Sequence, residues 1–213
     1  NTDCSYAADF AEYRFILFKK AFCGACQGGA VRGYGIVLSQ IGHRYQGLCY
    51  CCLWSGRYPA AGIDPAGIEQ TGYKILPKYL KAEYFDIIIL AIGVNDLQLF
   101  FRPTLEEFEQ GIEKLIKITK DLSPNAKIIL VCPPKLDLAG IKSGVFSFQF
   151  DEISVEKSYH LPQIYKKLAE KHACKLVDLN EIAKVSPLDG LHFSAESHKT
   201  IAENLYKNLK QTI

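Results

Sequence analysis

An almost unbroken apolar run from Phe85 to Ile92 (FDIIILAI) constrains the fold more than any other part of the sequence. A run this short and this apolar is typical of a strand buried on both faces of a parallel sheet. Gly93-Val-Asn-Asp96 follows it directly. Ligands of such sheets gather at the carboxyl ends of the strands, so Asn95 is predicted to lie where a polar side chain can meet a ligand. The same residue types are also common in turns, and by themselves they favour a site and a turn about equally.

Strand-like and helix-like segments alternate along the whole chain. This pattern predicts one domain over residues 1–213, with a three-layer α/β/α sandwich around a central parallel sheet of about five strands. Residues 135–154 show no clear period and carry three phenylalanines, so we expect a loop over an apolar cleft there. The predicted strands are 13–18, 44–53, 85–92, 127–132 and 175–179, and the predicted helices are 30–41, 73–81, the segment after Thr104, 155–172 and the segment after Ser194.

Charge and hydropathy limit the classes of binding partner that the sequence favours. The net charge is +2, and no basic stripe with interleaved aromatic residues is present, so the sequence favours a small neutral or weakly charged substrate over nucleic acid. No apolar run approaches the roughly 18 residues that cross a bilayer, and no secretory start is visible, so a cytoplasmic protein is expected. Because the sequence starts at Asn1 and lacks methionine, a targeting segment that has been removed stays an open alternative.

Eight cysteines raise the question of disulfides, metal and redox chemistry. A chain this long does not need disulfide bonds, and Cys132 and Cys174 lie in apolar surroundings, so we expect free thiols in a reducing compartment. Cys23-Gly-Ala-Cys26, after a predicted strand, is typical of a dithiol oxidoreductase and is kept as a less favoured alternative. A zinc site is disfavoured because neighbouring strand residues such as Cys51 and Cys52 point to opposite faces. We therefore expect no metal and no organic cofactor.

The segment before the last predicted helix carries a second candidate pair. Asp189 and His192 are three residues apart across Gly190. A tight turn there would let the carboxylate accept a hydrogen bond from one imidazole nitrogen and leave the other nitrogen to act as a base. An isolated pair of this kind is more often a loop aspartate and a histidine at a helix start.

Taken together, these motifs resemble the SGNH (GDSL-type) hydrolases. Gly93-Val-Asn-Asp96 is similar to the third conserved block of that family, and Asp189-Gly-Leu-His192 is similar to the fifth. The stretches Phe85–Leu97, Phe101–Thr104 and Val131–Pro134 resemble the arylesterase and acyltransferase branch in particular. The resemblance covers roughly residues 73 to 211.

The resemblance implies a carboxylic ester hydrolase that acts on a small-molecule ester without a cofactor. His192 matches the general base, and Asp189 matches the acid that orients it. Asn95 matches the residue whose amide donates to the oxyanion, and Gly56 in Ser55-Gly-Arg57 matches the backbone donor of the second block. Relatives in that branch often self-assemble, so a homo-oligomer is a further expectation.

The first block departs from the family pattern. The expected Gly-Asp-Ser is absent, and Gly24-Ala-Cys26 is the nearest match in position, which makes Cys26 the predicted nucleophile. A thiolate is able to attack an ester, so acyl transfer is still allowed. Two alternatives stay open: a catalytically silent SGNH fold that serves as a binding module, and a shifted reading frame within residues 19–61. Peptide mass spectra over that run would test the second.

Overall fold

A computed structural model describes residues 15–19, 36–41, 44–49, 72–82 and 84–211. The strands are β1 Phe15–Lys19, β2 Ile36–Ile41, β3 Arg44–Cys49, β4 Ile87–Ala91, β5 Lys127–Cys132 and β6 Lys175–Asp178. The helices are α1 Gly72–Leu80, α2 Leu105–Leu122, α3 Leu138–Ser143, α4 Glu152–Ser158, α5 Leu161–Lys171 and α6 Ala195–Lys210. Two short 3₁₀ turns, Val94–Leu97 and Leu179–Glu181, follow β4 and β6.

Four of the described strands form one parallel sheet in the order β1-β4-β5-β6. Lys19 at the end of β1 is in register with Ala91 at the end of β4, and Cys132 at the end of β5 is in register with Asp178 at the end of β6. Because the strands are parallel, all four end at the same edge of the sheet. The segments that follow β4, β5 and β6 therefore begin along one edge of the sheet.

Helices cover both faces of this sheet, which confirms the three-layer α/β/α prediction. Side chains alternate between the faces of a strand, and β4 shows this directly. Ile88 and Leu90 pack against α1, α2 and α5, whereas Ile87 and Ile89 pack in a second cluster with residues of α6. All four side chains are buried, as the apolar run predicted.

The predicted helix over 30–41 is wrong where the structure describes it, because Ile36–Ile41 is strand β2. Residues 44–49 of the predicted second strand do form β3, but β3 pairs antiparallel with β2 instead of joining the parallel sheet. Ile41 is opposite Arg44, so only two residues separate the strands. Two strand-like runs that are two residues apart, with a glycine such as Gly42 between them, indicate a hairpin.

The segment around residues 135–171 also differs from the prediction. Part of the expected loop is helix α3, and the expected helix over 155–172 is two helices, α4 and α5. Asp137 and Asp151 begin α3 and α4, since each carboxylate accepts a hydrogen bond from the N–H three residues later. Helices of six and seven residues are too short for an apolar period to show in the sequence. No described helix is both long and apolar enough to cross a membrane.

The helix starts at Thr104 and Ser194 are confirmed. The Thr104 hydroxyl accepts from the Glu107 N–H at 3.1 Å, and the Glu107 carboxylate accepts from the Thr104 N–H at 2.7 Å, which is a complete capping box. The Ser194 hydroxyl accepts from the Ser197 N–H at 3.1 Å. These two caps fix where α2 and α6 begin.

Glu113 of α2 ties this helix to the end of α5. Its carboxylate lies 2.9 Å from Lys171 Nζ, 2.8 Å from His172 Nε2 and 3.3 Å from Lys117 Nζ. Hydrogen bonds from Lys171 and then from His172 outweigh the opposing effect of burial and lower the pKa of Glu113 to about 2. The charged carboxylate is therefore favoured in the folded chain.

Glu113→Gln is expected to lower the free energy of unfolding by about 1 kcal/mol at pH 7, since the lysines involved are exposed to solvent. A carboxyl with a lowered folded-state pKa stabilises the fold above its ordinary pKa and loses that effect as pH falls through the lowered value. The difference from the wild type should therefore be full at pH 7 and shrink between about pH 5 and about pH 2. Urea unfolding across this range measures it, with the exposed Glu170→Gln as control. A difference that does not change with pH would contradict the assignment.

Candidate active site

Asp189 and His192 form a hydrogen-bonded pair in the loop that precedes α6. Asp189 Oδ2 lies 2.5 Å from His192 Nδ1. The other carboxylate oxygen accepts from the backbone N–H of Leu191 at 3.0 Å and of His192 at 2.9 Å. The aspartate therefore fixes both the backbone of the turn and the ring, and Nε2 is the ring nitrogen that is not occupied by Asp189.

Burial and hydrogen bonding shift the pKa of the Asp189 carboxyl in opposite directions. Partial burial raises the pKa of Asp189, but the hydrogen bonds from the His192 N–H and ring and from the Leu191 N–H outweigh it, so its pKa lies below the ordinary value. His192 is itself buried. The ring of Phe146 packs edge-on against the imidazole, with 4.9 Å between centroids. An anionic aspartate thus faces a histidine that is largely shielded from water.

Glycine is required in the turn between these two residues. Gly190 has a φ of 68°, which residues with a side chain rarely adopt. Its N–H donates to the carbonyl of Ser186 at 2.9 Å, and its carbonyl accepts from the N–H of Asp137 at 2.9 Å. The latter bond joins the loop to the N-cap of α3, 53 residues earlier in the chain.

Helix α3 approaches the loop so closely that only glycine fits at the contact. A Cβ atom on Gly140 would lie 2.4 Å from the backbone nitrogen of Gly190, and one on Gly144 would lie 2.9 Å from Cα of Asp189. Our sequence reasoning missed both residues. Gly140 lies within α3 and Gly144 follows its last residue, and a pair of glycines four positions apart was the available signal in the sequence.

Gly140→Ala is expected to lower the free energy of unfolding by about 3 kcal/mol, because the added methyl group meets backbone atoms that have no room to move. Thermal unfolding measures this loss. Ser143→Ala in the same helix adds no atom and is the control. Unchanged stability in Gly140→Ala would show that the helix and loop are not in contact.

Asn95 lies in the 3₁₀ turn after β4, at the same edge of the sheet as the start of the His192 loop. The chain turns at Gly93, where φ is 123° and a Cβ would lie 2.6 Å from Tyr165 Oη. The buried Tyr165 hydroxyl donates to the carbonyl of Ile92. The chain therefore turns at Gly93, and a tyrosine of α5 packs against this turn.

Residues 146–154 connect the Asn95 turn to His192. The N–H of Leu99 donates to the carbonyl of Gln149 at 2.8 Å, and the Ser154 hydroxyl donates to the carbonyl of Leu97 at 2.6 Å. The same segment provides Phe146, which packs on His192. The structure therefore links Asn95 and His192 through one segment at the carboxyl edge of the sheet.

The other predicted site residues, Cys26 and Gly56, lie outside the described residues. Cys132 and Cys174 are free thiols. Burial, together with the nearby Asp178 carboxylate, raises the pKa of the Cys132 thiol far above its ordinary value. Cys132 is therefore an unreactive buried residue, in agreement with the expectation that it acts as a small hydrophobe.

Comparison with known proteins identifies the family. Residues 41–200 match the GDSL-like lipase/acylhydrolase family. The chain belongs to this family. The match contains Asn95, Asp189 and His192, and it begins downstream of Cys26. The resemblance to SGNH (GDSL-type) hydrolases found in the sequence is thereby confirmed. No curated protein matches the sequence significantly.

Solved structures of esterases share the fold of this GDSL-like chain. A carbohydrate acetylesterase family member from Sinorhizobium meliloti is 26% identical, with a TM-score of 0.64 over 74% of this chain and 76% of that one. Another carbohydrate acetylesterase from S. meliloti, at 24% identity, and the inhibitor-bound aryl esterase of M. smegmatis, at 24%, superpose with TM-scores of 0.67 and 0.66. Both comparisons cover 75% of this chain and 76% of the other. The latter two likenesses establish the fold alone.

Proposed function

We propose that this GDSL-like protein is a carboxylic ester hydrolase with a Cys26-His192-Asp189 triad. The observation that carries the proposal is the Asp189–His192 hydrogen bond, at 2.5 Å, in the loop before α6. A buried imidazole held by an anionic carboxylate is the arrangement by which an enzyme prepares a general base. Membership of an acylhydrolase family agrees with this chemistry.

The nucleophile is proposed from the order of the strands. Strand β1 pairs in parallel with β4, and Lys19 is level with Ala91. Lys19, the last residue of β1, comes seven positions before Cys26 in the sequence, and it lies beside the end of β4, from which the segment with Asn95 continues. His192 Nε2 takes the thiol proton, and the thiolate attacks the ester carbonyl carbon. The carbonyl oxygen becomes an oxyanion.

Collapse of this intermediate breaks the bond to the alcohol oxygen. The imidazolium returns its proton to the departing alcohol, and a thioester is left on Cys26. His192 then takes a proton from water, the hydroxide adds to the thioester, and the acid is released as the thiol regains its proton. Asp189 stays ionised throughout because its pKa is lowered, so it stabilises the imidazolium at both steps.

The oxyanion is assigned to two donors. The side-chain NH₂ of Asn95 and the backbone N–H of Gly56 would each donate a hydrogen bond to it. Donors fixed in advance stabilise a charge that exists only in the transition state, and this lowers the barrier more than it strengthens substrate binding.

The surroundings of the pair favour an apolar substrate. Phe146 packs on His192, and four large apolar side chains nearby in the chain are exposed to solvent. Exposed apolar groups provide a surface for an apolar partner where they form one contiguous patch. We therefore propose a short acyl or aryl ester as substrate. The four exposed residues are Phe100, Val145, Phe148 and Leu188.

Hydrolysis of p-nitrophenyl acetate, compared with release of acetate from an acetylated sugar, tests the function and the substrate class. We expect faster turnover of the aryl ester. Rapid quenching should trap an acetyl group on the peptide that contains Cys26, and hydroxylamine should remove it. Acetate release from the sugar alone would overturn the apolar substrate. Binding of either ester without turnover would favour the silent binding module, and reduction of a disulfide substrate would favour the dithiol alternative.

A further inference from the structure

Gln98 makes a direct hydrogen bond to the proposed oxyanion donor. Its side-chain Nε2 donates to Asn95 Oδ1 at 2.9 Å. Gln98 is buried, with 4% of its surface exposed. The side-chain amide of a buried glutamine needs hydrogen-bond partners. One partner of Gln98 is the side-chain amide of Asn95. The orientation of the Asn95 amide decides whether its NH₂ is able to donate to an oxyanion.

The amide group of asparagine has two unlike ends. Its oxygen only accepts hydrogen bonds and its NH₂ only donates them. When Gln98 donates to the oxygen, the NH₂ of Asn95 is directed away from Gln98. If the amide were reversed, its oxygen would point there instead and would repel an oxyanion.

The backbone of Gln98 is held firmly enough to do this. Its carbonyl accepts from the N–H groups of Phe101, at 3.1 Å, and Arg102, at 3.3 Å, and its own N–H donates to the carbonyl of Asn95 at 3.2 Å. The carbonyl of the preceding residue, Leu97, accepts from the buried hydroxyl of Ser154. The glutamine side chain thus extends from a fixed point.

We propose that Gln98 is a positioning residue, which sets the orientation of the Asn95 amide so that its NH₂ is directed at the oxyanion. The proposal rests on the ester hydrolase function proposed above. It assigns Gln98 no contact with substrate. Its effect should therefore pass entirely through Asn95 and should appear in kcat and not in KM.

Gln98→Glu is the sharpest test, because it keeps the shape of the side chain and replaces the donor by an acceptor. The Asn95 NH₂ should then turn toward the carboxylate. We expect kcat for p-nitrophenyl acetate to fall by about tenfold to a hundredfold, which is less than the roughly 10²-fold to 10³-fold for complete loss of an oxyanion donor, with KM changed less than about twofold. Gln163→Glu, at an exposed position of α5, is the matched control and should keep the wild-type kcat.

A double-mutant cycle separates this role from a structural one. In the Asn95→Ala background, Gln98→Glu should have no further effect on kcat, since no amide is left to orient. Full additivity of the two losses would overturn the proposal. If burial of a charge prevents Gln98→Glu from folding, Gln98→Leu carries the same cycle with an expected loss of about fivefold to tenfold.

The outcomes also separate this inference from the proposed function. If the wild type hydrolyses the ester, if His192→Ala stops it, and if Gln98→Glu keeps the wild-type kcat, the positioning role alone is wrong. If the wild type shows no turnover, or turnover that does not depend on His192, the hydrolase proposal is wrong and the role of Gln98 is overturned with it.

Discussion

Replacing His192 by alanine is expected to reduce kcat for p-nitrophenyl acetate by at least about 10³-fold, since in the proposed mechanism the variant loses the base that ionises the nucleophile and the acid that protonates the leaving alcohol. The Asp189 carboxylate is hydrogen-bonded to His192 Nδ1, so it is not placed to take over proton transfer from the imidazole. Steady-state kinetics at pH 8 measure the loss. KM should change much less than kcat, because the imidazole acts in the chemical step.

Two variants control this experiment. His160→Ala makes the same change at an exposed position before α5, and it should keep the wild-type activity. His192 is buried against Phe146, so the alanine variant also creates a cavity. His192→Gln fills more of that space, and its thermal unfolding shows whether the fold is intact. A well-folded His192→Gln protein with wild-type kcat would exclude His192 as the general base.

The second large effect is expected at Asn95. Asn95→Ala should lower kcat by about 10²-fold to 10³-fold, equivalent to about 3–4 kcal/mol, which is the range for removal of one oxyanion donor. The effect on KM should be small, because the donor acts on a charge that the ground-state ester does not carry. The loss should be found with each ester that the enzyme hydrolyses.

Asn125→Ala provides a matched control for this loss, since Asn125 is exposed in the turn before β5. Asn95→Asp keeps the size of the side chain and removes the donor, so it should be at least as inactive as Asn95→Ala. An aspartate variant with wild-type kcat would show that the amide does not donate to the oxyanion. A tenfold or greater rise in KM with unchanged kcat would instead place Asn95 in substrate binding.

Much of the fold was predictable because its signals are local. The apolar run that became β4 is buried on both faces, and the capping box at Thr104 begins α2 as predicted. These signals act within a few residues, through burial and through hydrogen bonds to the first turn of a helix. Asp189 and His192 are also close in sequence, and a tight turn was enough to suggest that they meet.

The incorrect predictions arise where local signals in the sequence do not decide the structure. Residues 36–41 carry apolar side chains that fit a helix or a strand, and pairing with β3 decides between them. Short helices such as α3 do not contain enough turns to show a period. Their existence depends on a capping aspartate and on contacts with distant residues.

By itself the sequence determined the α/β/α layers, the family, and the residues Asn95, Asp189 and His192 as candidates for one site. Only the tertiary structure revealed the residues that hold this site in place. Gly140 contacts Gly190, which lies fifty positions later in the chain. Tyr165 packs against the turn at Gly93, and the Gln98 side chain donates a hydrogen bond to Asn95. Such contacts follow from packing between elements far apart and from the direction of individual side chains, and neither leaves a periodic trace in a sequence.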